Sequence, residues 1–371
     1  MRRPQVLVIG LGGVGSWVLE LLARSEGISY VVGADFKEDW GQRKVNTIAR
    51  GVVLHGYYPR LEFVGIDLQD VDRTAEIIDG LQPQLIMNCA TQQTWWVRYQ
   101  HLPPEKAHRL SEAGSGPWLP THMALARKLM LAIRACGWQG HVINSGFADA
   151  SNMVLARRGL APTMGLGNID LRIPGIQLEV ARQLNVPVRN VAVYAVFHHY
   201  HLRCFRNPPP GGVPRYFLRI MVGDRDVTGQ FDTEQLIRDM PPGLGASHGD
   251  PVVASSGVKN ALAILHDKGL LTHTNGPQGL PGGYPVRVSA AGAEVFLPVG
   301  ISLEEAVTIN ETAQRGDGIE RVEEDGTVIY TDEAVKIMKE VLDYDLRPLK
   351  FDELDQRAKE LIQCFRALTQ Q

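Results

Sequence analysis

The stretch Val6-Leu7-Val8-Ile9-Gly10-Leu11-Gly12-Gly13-Val14-Gly15 decides the fold. Four consecutive apolar, largely β-branched residues suit a strand buried on both faces in the middle of a parallel sheet, and Gly10 ends it. From Ser16 to Arg24 the apolar residues Trp17, Val18, Leu21 and Leu22 recur at helical spacing, and Tyr30 to Ala34 reads as a second strand. The glycines therefore stand as GxGxxG between the strand and the helix of one βαβ unit. In that place missing side chains let the backbone approach a pyrophosphate, and the helix N-terminus stabilises its charge. Asp35 lies twenty residues past Gly15 at the end of the second strand. Its carboxylate can accept hydrogen bonds from ribose hydroxyls and repels a 2′-phosphate. The pattern predicts a cofactor site built from Gly10, Gly12, Gly13, Val14, Gly15 and Asp35, with NAD favoured over NADP. Arg43 and Lys44, further along, read as a solvated helix face that could also reach a phosphate.

Further β/α alternation follows. A helix is expected over 42–50, a strand over 62–66, a helix over 74–79, a strand over 85–89, a long helix over 121–136 and a strand over 141–143. Between Gln92 and Pro120 the alternation stops in a stretch rich in Trp, Pro, Gly and His, too long for an ordinary connector, which reads as an active-site loop. Beyond Asn144 the pattern changes. A helix over 177–184, a strand over 191–197, a Pro/Gly loop over 208–214, a hairpin across Gly223-Asp224, a helix over 258–266, a strand pair within 286–297 and a charged helix from about Phe351 compose a second unit. The expected fold is α/β. It has an N-terminal Rossmann doubly wound parallel sheet over 1–148 and a C-terminal α+β catalytic domain over 149–371, without internal repeats.

Composition narrows the function classes. The chain has 371 residues, 44% hydrophobic and 21% charged, with a formal net charge of −3. Its Lys and Arg residues are scattered rather than gathered into a stripe that tracks phosphates, so nucleic acid is not an expected partner. No apolar run is long enough to span a bilayer, and Met-Arg-Arg-Pro runs straight into the first strand, which predicts a cytoplasmic protein. Cys89, Cys136, Cys204 and Cys364 form no CxxC pair, so neither a disulfide framework nor a zinc finger is expected. His198, His199, His201 and Cys204 can also be read as metal ligands, because alternate strand residues such as His199 and His201 share a face, although no carboxylate or second cysteine completes a recognised spacing. Family 4 glycosidases, which share this overall fold and use NAD with such a metal, keep that alternative open.

Three families open with such a glycine loop. Val6 to Ser16 resembles the start of adenylating enzymes of the ubiquitin-activating type, but the chain lacks their Asn-x-x-Arg-Gln segment and CxxC pairs. Ile66-Asp67-Leu68-Gln69-Asp70 followed by Pro83-Gln84-Leu85-Ile86-Met87-Asn88 is similar to the third and fourth strands of extended short-chain dehydrogenases and of saccharopine-dehydrogenase-like proteins. No tyrosine has a lysine four residues later, so the short-chain catalytic pair is missing. This likeness adds Asp67, Asn88 and Ala90 to the expected cofactor contacts.

The second half resembles the lactate and malate dehydrogenase family. Val142-Ile143-Asn144 closes the Rossmann half, and Gly167-Asn168-Ile169-Asp170 precedes a helix, a strand over 191–196 and then His199. The resemblance implies that Asn144 touches the nicotinamide ribose, that Asp170 pairs with His199, and that His199 exchanges the substrate hydroxyl proton. It also implies a carboxylate-binding arginine, for which Arg172 stands two residues after Asp170, and a loop arginine that polarises the carbonyl, offered by Arg98 or Arg109. Phe197-His198-His199-Tyr200 stands where the family has Gly-Glu-His-Gly, and Trp95, Trp96, Tyr99 and Trp118 load the loop with aromatic rings, which suggests a bulkier or more apolar substrate. The expected function is NAD-dependent hydride transfer on a hydroxy acid or related secondary alcohol by a homo-oligomer, a dimer or tetramer. Saccharopine- or opine-type chemistry at a C–N bond and a catalytically silent NAD-binding protein stand as alternatives.

Overall fold

The structure, a computed structural model, describes residues 3–97, 101–241 and 246–369. The N-terminal half runs β1 (Val6–Ile9), α1 (Gly13–Ala23), β2 (Tyr30–Asp35), α2 (Glu38–Leu54), β3 (Arg60–Gly65), α3 (Val71–Leu81), β4 (Leu85–Asn88), α4 (Pro104–Glu112), α5 (Leu119–Cys136), β5 (His141–Asn144), α6 (Ala148–Ala156) and β6 (Met164–Gly165). The six strands form one parallel sheet in the order β3-β2-β1-β4-β5-β6. Strand order reverses between β1 and β4, which opens a crevice at the strands' carboxyl ends, where open α/β sheets bind ligands. β1, β2 and β4 are buried along their whole length, the burial their unbroken apolar runs require.

The region expected to be an irregular loop over 92–120 contains α4 and a 3₁₀ turn at Gly116–Trp118. Pro104 at the first helical turn starts α4, and only Leu110 of that helix is buried. A helix with so narrow an apolar stripe leaves almost no periodicity to read.

The second half continues through α7 (Ile173–Leu184), β7 (Val191–Val196), α8 (His199–Cys204), β8 (Phe217–Val222), β9 (Arg225–Asp226), α9 (Thr233–Arg238), α10 (Asp250–Leu265), β10 (Leu270–Asn275), β11 (Gly283–Ser289), β12 (Gly292–Val295), α11 (Leu303–Gln314), β13 (Ile319–Val322), β14 (Val328–Tyr330), α12 (Asp332–Leu342) and α13 (Leu354–Thr369). β7, β8 and β9 pair antiparallel, with Val222 facing Arg225 across the expected Gly223-Asp224 turn, and β10, β11 and β12 form a second antiparallel sheet. The chain from Ile319 onward does not extend this half. Ile319, Tyr330, Ile337, Leu361 and Phe365 share one buried cluster with Leu7, Ile9 and Ile86 of the parallel sheet and Trp118 and Leu129 beside it. α13 packs along α5, and Trp118 meets Phe365 edge-on at 5.7 Å between centroids. No helix among the described residues is long and apolar enough to cross a membrane.

Candidate functional site

The glycine loop has the three-part geometry its sequence requires. Gly10 has φ +88°, and a Cβ there would lie 2.7 Å from the Ala90 backbone nitrogen, so β1 ends by passing close under the turn that leaves β4. A Cβ on Gly15 would lie 1.8 Å from the Gly10 carbonyl oxygen, which is how α1 seats directly on the loop. A Cβ on Gly12 would meet nothing within 4 Å. That residue is exposed, so its backbone faces a space that a phosphate group can enter. Val14 follows in the first turn of α1. Asp35 is buried at the end of β2, and its two oxygens accept hydrogen bonds from Leu11 N at 2.9 Å and Lys37 N at 3.0 Å. Each oxygen keeps a second lone pair for a ribose hydroxyl. Asp67, beyond β3, is exposed and accepts from Gln69 N at 2.9 Å. Arg43 pairs with Asp39 on the exposed face of α2 at 3.0 Å, and Lys44 lies over the Trp40 ring. These loop and strand-end residues suit a dinucleotide.

From this loop a chain of buried amides runs towards His199. Asn88 at the end of β4 donates to Asn144 Oδ1 at 3.0 Å and accepts from Ala90 N at 3.3 Å. Asn144 donates in turn to Ser151 Oγ at 3.2 Å and Asn152 Oδ1 at 3.0 Å. Both asparagines are fully buried. Asn144 is thus turned inward, tying β5 to β4 and α6, rather than presented as the expected ribose contact. α6 carries Asp149, buried and accepting from His199 N at 3.0 Å and Asn275 Nδ2 at 2.8 Å, and from Asn168 Nδ2. The Phe147 ring meets the His199 ring edge-on at 5.2 Å. His199, the first residue of α8, is thereby docked on the segment leaving the carboxyl end of β5, the edge of the sheet that carries the glycine loop.

The partner of His199 differs from the expected one. Its Nδ1 lies 2.8 Å from Asp317 Oδ2, and its side chain is 33% exposed. Asp317 is buried and also accepts from Ser115 N at 3.3 Å. Burial alone would push the Asp317 carboxyl up, but the charge and hydrogen bond of His199, with Arg203 further off, outweigh it and hold the group well below the usual carboxylate range. With Nδ1 donating to Asp317, Nε2 is the nitrogen that can take a proton. Asp170 instead receives Lys259 Nζ at 2.7 Å on each oxygen, with Thr272 beside it. It lies in the turn before α7, and the charged head it meets comes from α10, so the Asp170–His199 dyad does not form.

The neighbouring histidines have other work. His198 Nδ1 accepts from Tyr200 N at 3.2 Å as the N-cap of α8, so its 3.4 Å approach to Asp317 is a contact of a neutral ring and not an ion pair. Burial lowers the His198 pKa. His201 Nδ1 accepts from His198 N at 2.9 Å and its Nε2 meets Arg215 O at 3.1 Å, with burial lowering its pKa to about 4. Among the described residues no set of three or more His, Cys, Asp or Glu side chains could hold a metal ion.

Arg172 is half-buried, and its guanidinium meets the Leu202 carbonyl of α8 at 3.3 Å. Burial, then the nearby Arg206, lower it to about 10, so it keeps its charge at neutral pH. No carboxylate pairs with it among the described residues, which leaves a desolvated cation beside α8 able to take an anionic group. Arg109 is committed elsewhere, bound by Glu112, Glu333 and Glu340 across α4 and α12. Arg98 lies outside the described residues, as does Tyr99. Asp149 and Asp317 were not read from the sequence: the first follows Gly146-Phe147 in a run of small residues, the second sits in an Arg-Gly-Asp-Gly turn 118 residues from its histidine.

Residues 6–94 match the saccharopine dehydrogenase NADP binding domain. The N-terminal half is a nucleotide-binding Rossmann domain, and this match supports a pyridine nucleotide as its ligand type. No curated protein matches the sequence. Solved structures do resemble most of the chain in fold. The lactate dehydrogenase MGS-M5 from a Medee basin deep-sea metagenome library is 13% identical, with a TM-score of 0.58 over 85% of this chain and 97% of its own. Malate dehydrogenase from Cryptosporidium parvum is 15% identical, with a TM-score of 0.56 over 85% and 98%. Malate dehydrogenase from Salinibacter ruber is 20% identical, with a TM-score of 0.54 over 83% and 93%. The likeness expected from the order of elements is thus present in the fold, although the histidine's carboxylate comes from a different part of the chain.

Proposed function

We propose that this protein is an NAD-dependent oxidoreductase acting on a hydroxy acid or related secondary alcohol. The observation that carries the reading is the partly exposed His199 with its Nδ1 held 2.8 Å from the buried Asp317, at the carboxyl edge of a sheet whose first turn is the glycine loop. A nicotinamide ring bound there supplies the two-electron acceptor. His199 Nε2 takes the hydroxyl proton as the carbinol is oxidised, and returns it in the reverse direction. Asp317 keeps the Nδ1 tautomer and stabilises the imidazolium without itself being protonated. Arg172, charged and without a carboxylate partner, pairs with the substrate's acid group. Asp35 favours NAD, because a 2′-phosphate would meet its carboxylate.

The test is a screen of hydroxy acids followed by NADH absorbance, with His199→Ala and Asp35→Ala as controls. Turnover with a hydroxy acid that His199→Ala abolishes supports the reading; turnover that survives this substitution sinks it. A second reading is favoured by the match of residues 6–94 to the saccharopine dehydrogenase domain. It assigns the same dyad to a C–N bond, and amino-acid-dependent turnover with NADP preferred would establish it.

We also propose that the protein self-associates, as a dimer or tetramer. Trp17 of α1 and Trp40, Val53 and Leu54 of α2 are exposed apolar side chains on neighbouring helices of one half. Light scattering at micromolar concentration tests this, and a monomeric mass overturns it. The four free cysteines fit a reducing, cytoplasmic setting.

A further inference from the structure

Asp250, the first residue of α10, brings a carboxylate onto the glycine loop. A Cβ built on Gly13 would lie 1.9 Å from Asp250 Oδ2 and 3.0 Å from its Cγ, so the oxygen rests on the first residue of α1. The missing side chain at Gly13 is what admits it. α1 and α10 are packed against each other along their length, which fixes this approach. No donor or cation meets the Asp250 carboxylate among the described residues. The cations on or next to the two helices are used otherwise: Arg24, just past α1, pairs with Glu20 at 2.8 Å, and Lys259 of α10 with Asp170 at 2.7 Å. Partial burial without a partner pushes the Asp250 carboxyl up. An unpaired acid is costly in such a place unless something compensates it. The compensation at hand is the end of α1, whose first N–H groups lack partners within the helix and carry the positive end of its dipole. That end is also where a dinucleotide's pyrophosphate would be received.

We propose that Asp250 sets the affinity of the dinucleotide site: its carboxylate rests against Gly13 at the start of α1, and its charge repels the pyrophosphate of an incoming dinucleotide. The inference rests on the dinucleotide-binding reading given above. Removing the charge while keeping the shape removes a repulsion on the pyrophosphate. Every ligand that carries the ADP-ribose pyrophosphate then gains by the same factor, whatever the redox state of its nicotinamide.

The experiment is a calorimetric titration of the full chain with NAD⁺, NADH and ADP-ribose, comparing wild type with Asp250→Asn and Asp250→Ala, each checked for an unshifted thermal transition. The expected result is roughly tenfold tighter binding of all three ligands by both variants, since like charges brought together cost at least that much. Unchanged or weaker binding by folded variants overturns the proposal while leaving the dinucleotide reading in place. So does a gain for NADH and NAD⁺ without one for ADP-ribose, which would assign the carboxylate to the nicotinamide end. Absence of binding by wild type and variants alike overturns both.

Discussion

Two carboxylates of this chain are candidates to hold a histidine tautomer, and their surroundings separate them. Asp317 meets His199 directly, whereas Asp170 is saturated by Lys259 from α10. Asp317→Asn keeps the shape but presents an amide, which fixes the wrong tautomer or none. We expect kcat/KM to fall roughly 10²–10⁴-fold with dinucleotide affinity unchanged, the scale on which orienting carboxylates act. Asp170→Asn should leave kcat/KM within about threefold and lower stability by about 1–3 kcal/mol, because Lys259 loses its charged acceptor. Steady-state kinetics and denaturant titrations of both variants check the pair, and equal losses of activity would contradict the assignment. Arg172→Met should raise KM for a carboxylate-bearing substrate about 10- to 100-fold, as charge-assisted pairs are worth about 1.5–3 kcal/mol, and leave dinucleotide binding alone. If an uncharged alcohol suffers equally, Arg172 is not the anchor. His199 and Arg172 entered as candidates through the resemblance to lactate and malate dehydrogenases, which attaches a role to a residue near a strand or helix end. Asp317 did not, because its contact with His199 is tertiary and no local spacing encodes a partner 118 residues away.

At the level of elements, legibility followed burial. β1, β2 and β4 are buried on both faces and gave unbroken apolar runs, and α5 buries enough of its length to give a clear period. α4, with one buried residue, and α6, in which Ala148 to Leu155 are all buried, gave none: the first is nearly all polar outside, the second has no polar face to contrast with. α6 is the more consequential miss, since it supplies Asp149 beneath His199 and Ser151 and Asn152 beneath Asn144. The junction of β1 and α1 was the most legible element of all, and it is correspondingly intolerant. A methyl on Gly15 would stand 1.8 Å from the Gly10 carbonyl oxygen, which is backbone and cannot rotate away. Gly15→Ala should therefore push α1 off the loop, costing about 1–3 kcal/mol of stability and at least tenfold in dinucleotide affinity. Gly12→Ala, whose methyl would meet no protein atom within 4 Å, should leave stability nearly unchanged and weaken dinucleotide binding alone. Chemical denaturation beside calorimetry separates the two, and identical behaviour of both variants would mean that the loop's glycines serve packing only.

For the whole molecule, the return of residues 319–369 onto the N-terminal sheet means that the two halves cannot be stabilised independently, and that the turn holding Asp317 is braced between them. The same interior carries buried histidines whose protonation opposes folding. Burial lowers His201 to about 4, and burial together with Lys259 lowers His273 to about 3. His273 Nε2 accepts from Ala195 N at 3.1 Å, and His201 Nδ1 from His198 N, so each ring is needed in its neutral form to satisfy a strand or a cap. In the unfolded chain both rings titrate near pH 6.5. Below that value the unfolded state binds more protons than the folded one, so their contribution to stability is complete above about pH 6.5 and is lost progressively as pH falls towards the folded values. Each histidine then removes up to about 1.4 kcal/mol per pH unit. The Asp317 carboxylate, held below the usual carboxylate range, stays ionised through this window and does not contribute to the loss. The expected unfolding free energy is accordingly flat from about pH 8 to 6.5 and falls by roughly 2–4 kcal/mol by pH 5. Denaturant titrations across that range check it. His273→Gln, which can still accept from Ala195 N but does not titrate, should remove about half of the slope, and an unaltered slope in that variant would assign the acid lability to other groups.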